Sequence, residues 1–273
     1  GVAIGGIVGA VMALRIQMTS MPQMVALLNG FGGGASLSIA LAEYVTRTGI
    51  NPTSVSDFFQ PTVVAASAFG EGAEATIALM SISLTVLIGA VTLTGSLIAF
   101  SKLQELMKKS YGLPGGPVGN GILLLGALAA VAFLVMNPGN TMAMVAILGL
   151  ALLLGLFLVM PIGGADMPVV IALLNSYSGI AAALAGFILG NTVLIIAGSL
   201  VGTSGLILTR IMCVAMNRSL ANVLFGKMAA GGETIDADEI YDGKVTSAQP
   251  DEVAMLLETA QRVVIVPGYG MAM

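Results

Sequence analysis

The chain has 273 residues, of which 57% are hydrophobic and only 9% charged, with a mean hydropathy of +1.00; an ordinary soluble domain is about a quarter charged, so a water-soluble globule is excluded. Ten basic and 14 acidic residues leave a formal net charge of −4, spread too thinly to mark a partner surface or to offer a basic patch to nucleic acid. The 36 glycines, with abundant Ala, Ser and Thr, supply the small side chains that let helices pack closely in a membrane, and the composition predicts an all-α polytopic helix bundle in a lipid bilayer.

Crossing about 30 Å of hydrocarbon takes roughly 20 apolar residues, and about seven runs of that kind follow one another. The first, Gly1 to Leu14, is short and opens without an initiator Met or a leader pattern, which points to a natural amino terminus further upstream. The second runs from about Met21 to Ala42, with Pro22 suited to a first helical turn, and a polar loop follows. The third spans about Ala75 to Phe100 and the fourth about Val118 to Met136. Asn137-Pro138-Gly139 then turns the chain into a fifth run ending near Met160, where Pro161 and Gly163-Gly164 stop it. The sixth covers about Met167 to Leu189 and the seventh about Thr192 to Met216, joined by Gly190-Asn191. Cys213 lies in the seventh run and reads as a buried structural thiol.

Basic residues stay on the cytoplasmic side. Arg15, Lys102, Lys108, Lys109, Arg218 and Lys227 fall at one set of ends, whereas Glu43, Asp57, Glu71 and Glu74 oppose a lone Arg47 at the other. Seven alternating spans satisfy this pattern with the carboxyl-terminal segment inside.

From about Gly226 the composition changes. Residues 226–261 read as a solvated acidic linker, with a short amphipathic helix from Asp251 to Gln261 that places Val253, Leu256 and Leu257 on one face. Arg262 to Val266 then reads as a buried β-strand running into Pro267-Gly268-Tyr269-Gly270-Met271-Ala272, the way the first strand of a Rossmann-like domain meets its glycine turn. A lone G-x-G equally suits a strand–turn with no ligand. The chain stops inside this motif, so the expectation is a soluble domain that continues beyond it.

Polar side chains inside apolar runs are costly unless they meet a partner or water. Asn29, Ser96 and Asn175 stand out. At 1.5 Å per residue Asn29 and Asn175 lie about 12 Å from the inner ends of the second and sixth runs, with Ser96 somewhat nearer that of the third, so three helices can contribute to one polar layer. Each residue taken singly also suits a plain interhelical hydrogen bond. Asp166, before the sixth run, and Arg218, after the seventh, both fall on the inner side. They can pair at the mouth of a pathway, brace the linker, or sit as separate solvated charges.

Several long strings carry a resemblance: Met18-Thr19-Ser20-Met21-Pro22-Gln23-Met24-Val25-Ala26-Leu27-Leu28-Asn29, Gly89-Ala90-Val91-Thr92-Leu93-Thr94-Gly95-Ser96, Gly163-Gly164-Ala165-Asp166-Met167-Pro168, Leu174-Asn175-Ser176-Tyr177-Ser178-Gly179, Met212-Cys213-Val214-Ala215-Met216-Asn217-Arg218 and Val266-Pro267-Gly268-Tyr269-Gly270-Met271-Ala272. In this order they resemble the β subunit of the proton-translocating NAD(P) transhydrogenases. The resemblance implies a proton-channel domain over residues 1–225, a linker over 226–261 and the start of an NADP(H)-binding domain over 262–273. It further implies hydride transfer from NADH to NADP⁺ in soluble domains, with no catalytic residue in this stretch, and NAD(H) held on a partner subunit. By position, Ser96 and Asn175 match polar channel residues, Asp166 and Arg218 match charges facing the NADP(H) domain, and Gly268, Gly270 and Ala272, with Tyr269 and Met271 between them, match its pyrophosphate turn.

There is one departure. Many members of that family carry a proton-binding histidine where this chain has Asn29, and the chain has no histidine at all. Asn cannot exchange a proton near neutral pH, so the resemblance implies a companion alpha subunit whose membrane helix supplies one, within a dimer of protomers in a bacterial inner membrane. A small-solute transporter using the same polar layer, or a structural membrane subunit, remain the other readings.

Overall fold

The computed structural model describes residues 2–49, 66–70, 72–107, 116–225 and 250–264. The chain divides by its contacts into two units, residues 1–226 and 227–273. The first contains α1 (Val2–Arg15), α2 (Met21–Thr48), α3 (Ala73–Leu103), α4 (Pro117–Met136), α5 (Thr141–Val159), α6 (Met167–Leu189), α7 (Thr192–Ala215) and the short α8 (Leu220–Phe225); the second contains α9 (Pro250–Thr259).

The sequence-based fold class needs two corrections. Among the described residues six helices, α2 to α7, are long and apolar enough to cross a membrane, where about seven spans were expected. The difference is α1, whose 14 residues rise only about 21 Å, short of the roughly 30 Å of hydrocarbon. Nor is there a β-strand among the described residues: Arg262 to Val264 are neither strand nor helix, so the expected first strand of a Rossmann-like domain is not found. A strand is held by hydrogen bonds to a neighbour, and no described segment provides one. Residues 265–273, with the expected glycine turn, lie outside the described residues.

Local chemistry explains the helix ends. Pro22, Pro117 and Pro168 occupy first-turn positions of α2, α4 and α6, where the missing N–H is not needed. Asn140 and Asn191 cap α5 and α7, each accepting from a backbone N–H three residues on at 3.1 Å. Gly190 ends α6 with φ of 62°, a left-handed conformation that glycine adopts without strain. Helix α2 runs six residues past the expected Ala42, because Tyr44 is buried against Phe69, with ring centroids 5.9 Å apart, and donates to the Pro138 carbonyl at 3.4 Å.

Helix α6 packs on α7, α3 and α2, and α3 also packs on α2 and α5. Glycine sets the closeness of these seams. A Cβ on Gly33 would lie 2.9 Å from the Gly89 carbonyl oxygen, one on Gly198 would lie 2.6 Å from that of Gly179, and one on Gly205 would lie 2.7 Å from the Ser176 nitrogen. Backbone thus meets backbone, as van der Waals association in lipid favours. The ends carrying Lys102 and Arg218 are stitched to one another: Gln23 Nε2 donates to the Leu103 carbonyl at 3.0 Å, and the Lys102 ammonium donates to the Ile162 carbonyl at 2.7 Å and also to that of Met160. Lys102 therefore caps the last turn of α5.

Gly198→Ala should overpack the α6–α7 seam and cost about 1–3 kcal/mol, read from unfolding in micelles titrated with a denaturing detergent. Gly149→Ala, inside α5 where an added Cβ would meet nothing within 4 Å, should be neutral or stabilising by up to about 1 kcal/mol. Equal effects would contradict the close-approach account.

Candidate functional site

Asn29, Ser96 and Asn175 sit eight, seven and eight residues from the same ends of α2, α3 and α6, or about 12, 10.5 and 12 Å at the helical rise. The backbones meet at this level. Asn29 is buried and its Nδ2 donates to the Ile171 carbonyl at 3.2 Å, the acceptor that a regular α-helix also offers to the Asn175 amide. A Cβ on Gly30 would lie 3.1 Å from Ser96 Cβ, and one on Gly95 would lie 3.2 Å from Leu174 Cδ2. The residues next in sequence to Asn29, Ser96 and Asn175 are therefore in contact across α2–α3 and α3–α6. Asn175 is half-buried, and its side chain bonds to no described residue.

Ser96 is fully buried, and its Oγ has no hydrogen-bond partner among the described residues. Most other hydroxyls of α3, Ser81 apart, behave differently. Ser83, Thr85, Thr92 and Ser101 each donate to the carbonyl four residues back at 2.6–2.8 Å, and Thr94 donates both to Ala90 and across to the Leu152 carbonyl at 3.0 Å. Leaving a buried polar group unpaired costs about 1–3 kcal/mol. A hydroxyl kept in that condition, on a helix packed against those that carry Asn29 and Asn175, has a hydrogen bond still to give.

Asp166 and Arg218 are brought together. Arg218 Nη1 donates to Asp166 Oδ2 at 2.7 Å. The Asp166 side chain is 8% exposed and that of Arg218 51%, so the carboxylate is the costly member if the pair opens. The pair joins the start of α6 to the end of α7, nine residues along α6 from Asn175.

A cavity of about 330 Å³ lies among α3, α4, α5 and α6, walled by apolar side chains such as Leu87, Leu124, Leu154 and Ile180. Its polar members are Tyr177 and Asn120, the latter donating to the Phe157 carbonyl at 3.3 Å while its Oδ1 accepts from no described residue. No cation lines it, so it does not suit a nucleotide pyrophosphate, which needs charge or a nest of amides. Gly268, Tyr269, Gly270, Met271 and Ala272 fall outside the described residues, and among the described residues no cluster of ligating side chains suits a metal.

Sequence reasoning missed Lys102 as a cap, Asn120, and Arg210, an exposed charge inside α7. For Arg210 the signal was legible, since an arginine interrupts an apolar run. Nothing in the sequence pairs Lys102 with carbonyls 58 and 60 residues away.

Arg218→Gln should destabilise the bundle by about 1–3 kcal/mol, toward the lower end because the arginine is half exposed. Adding Asp166→Asn should recover part of that loss, giving a coupling near 1 kcal/mol in a double-mutant cycle of detergent unfolding; strictly additive effects would show that the pair contributes nothing.

The NAD(P) transhydrogenase beta subunit family profile matches residues 1–273. Over 276 aligned residues the chain is 41% identical to the NAD(P) transhydrogenase subunit beta of Rhodospirillum rubrum, covering 99% of this chain and 55% of that protein, and a sequence from a named strain of the same species gives the same figures. The chain spans about half the length of the curated relatives it matches. With its six apolar spans and its polar layer, this integral membrane chain belongs to the NAD(P) transhydrogenase beta subunit family.

Proposed function

We propose that the chain is the proton-conducting membrane part of a transhydrogenase β subunit, in which Asn29, Ser96 and Asn175 line the path and a histidine from a membrane helix of the companion alpha subunit carries the proton. The observation that carries this reading is the fully buried Ser96 hydroxyl, left without an acceptor where α2, α3 and α6 meet. The chain itself has no histidine, and its buried amides and hydroxyl orient water or a neighbouring imidazole without titrating.

On this reading residues 1–225 form the channel unit and 226–261 the linker. Hydride passes from NADH to NADP⁺ in soluble domains that lie beyond these helices, with NADP(H) held on the β subunit and NAD(H) on the partner. Asp166 and Arg218 then act as the coupling pair. Opening it frees the start of α6, whose Ile171 carbonyl holds Asn29, so a change at the helix ends reaches the polar layer through one rigid element. The complex is a dimer of protomers in a bacterial inner membrane. A solute-transporter reading gains no support from the cavity of about 330 Å³, which is walled by apolar side chains and is not lined by Asn29, Ser96 or Asn175.

In proteoliposomes of the assembled complex, Asn29→Ala should lower coupled proton pumping only in part, with the complex still folded and its stability reduced by about 1 kcal/mol for the lost bond to Ile171. Replacing each histidine of the companion's membrane helices in turn should abolish pumping at one position. Full coupling in every histidine variant would rule the reading out.

A further inference from the structure

Helix α7 carries polar groups that no described residue of this chain uses. Ser199, Thr203 and Arg210 are all exposed. Their spacing of four and seven residues puts them within an arc of about 40° on a helix of 3.6 residues per turn. None of the three side chains bonds to a described residue. Ser204 and Thr209 of the same helix instead donate to the Val201 and Gly205 carbonyls at 3.0 and 2.8 Å. The stripe is set apart from Gly198, Gly202 and Gly205, which face α6.

Depth limits what can cover it. Counting back from Ala215, the Cα atoms of Arg210, Thr203 and Ser199 lie about 7.5, 18 and 24 Å inside the end of the helix. From the other end, Thr192, Ser199 lies about 10.5 Å and Thr203 about 16.5 Å inside, so Thr203, near the middle of the helix, is beyond the headgroups of either face. In a helix the Cα–Cβ bonds tilt toward the amino terminus, which for α7 is the opposite membrane face, so Arg210 sets out toward the bilayer centre, away from the nearer headgroups. A cation so placed calls for a carboxylate within the membrane. A second copy of this chain does not supply one from its described membrane helices: Glu43 and Glu74 lie at the far ends, Glu105 lies past the end of α3, and Asp166 already holds Arg218, while Asp251, Glu252 and Glu258 belong to the ten-residue α9 of the other unit, too short to span.

We propose that this stripe seats a membrane helix of the companion alpha subunit, which presents a carboxylate to Arg210 and small or hydroxyl-bearing side chains to Ser199 and Thr203. The inference rests on the reading that the chain works with a companion that has membrane helices, and it adds where one of them lies and what charge it carries.

The test uses the assembled complex in its membrane. A photoreactive benzoylphenylalanine replaces Thr203, or, as a control, Leu208, which is 47% exposed and points about 140° away around the helix. Illumination should join Thr203→benzoylphenylalanine, and not the control, to the alpha subunit. Adducts with lipid alone, or with another copy of this chain, would overturn the seat. Arg210→Ala should cut co-purification of the alpha subunit in detergent at least fivefold and Arg210→Lys should retain most of it; recovery unchanged by either would overturn the carboxylate. Lipid-only adducts in a complex whose pumping still needs a companion histidine would sink the seat and leave the proton-path reading standing.

Discussion

Hydrocarbon leaves a hydroxyl nowhere to find a hydrogen bond except in protein or in water that protein admits, and the bundle holds Ser96 where no described residue accepts one. Everything proposed about the site depends on that constraint. Glycine produces it: Gly30 lets α2 come within contact of Ser96, and Gly95 lets α6 and α5 close on the other side, with added Cβ atoms falling 3.1–3.2 Å from Ser96, Val159 and Leu174. A side chain at either place would require its neighbour to give by a few tenths of an ångström. The neighbouring hydroxyls, satisfied by their own helix, make clear that α3 does not lack acceptors in general.

The same economy of space links the layer to the helix ends. Helix α6 touches every part of the account: its start holds Asp166, its second turn offers Ile171 to Asn29, and its Ser176 donates to the Gly202 carbonyl at 2.7 Å across the tight seam with α7. Backbone-to-backbone packing of this kind does not deform gradually, so a displacement of the Asp166–Arg218 pair moves α6 and α7 together or not at all. A gate of that sort requires two discrete arrangements of one rigid pair of helices, and the proposed coupling is of that type.

Much of the bundle was legible in the sequence, because span length follows directly from the hydrocarbon thickness and turns are written in Asn, Pro and Gly. The common level of Asn29, Ser96 and Asn175 was legible for the same reason, since depth is only residue count times rise. What escaped is tertiary. The extension of α2 depends on Tyr44 finding Phe69 and the Pro138 carbonyl. The role of Lys102 depends on carbonyls of another helix, and the short α1 had the composition of a span without its length. The terminal segment misled for a different reason: Val263-Val264-Ile265-Val266 has the local preference of a strand, but a strand is a relation between two segments and the described residues contain no second one.

The most direct test of the central claim is whether water reaches the layer. In the assembled complex with Cys213→Ser, the variants Asn29→Cys, Ser96→Cys and Asn175→Cys would be exposed one at a time to a small water-soluble thiol reagent. The account predicts modification at all three positions, slowed when the companion histidine's helix is locked in place, and none at Val86→Cys on the dry side of α3, where Val86 is 0% exposed. Three thiols as inert as that control would contradict it.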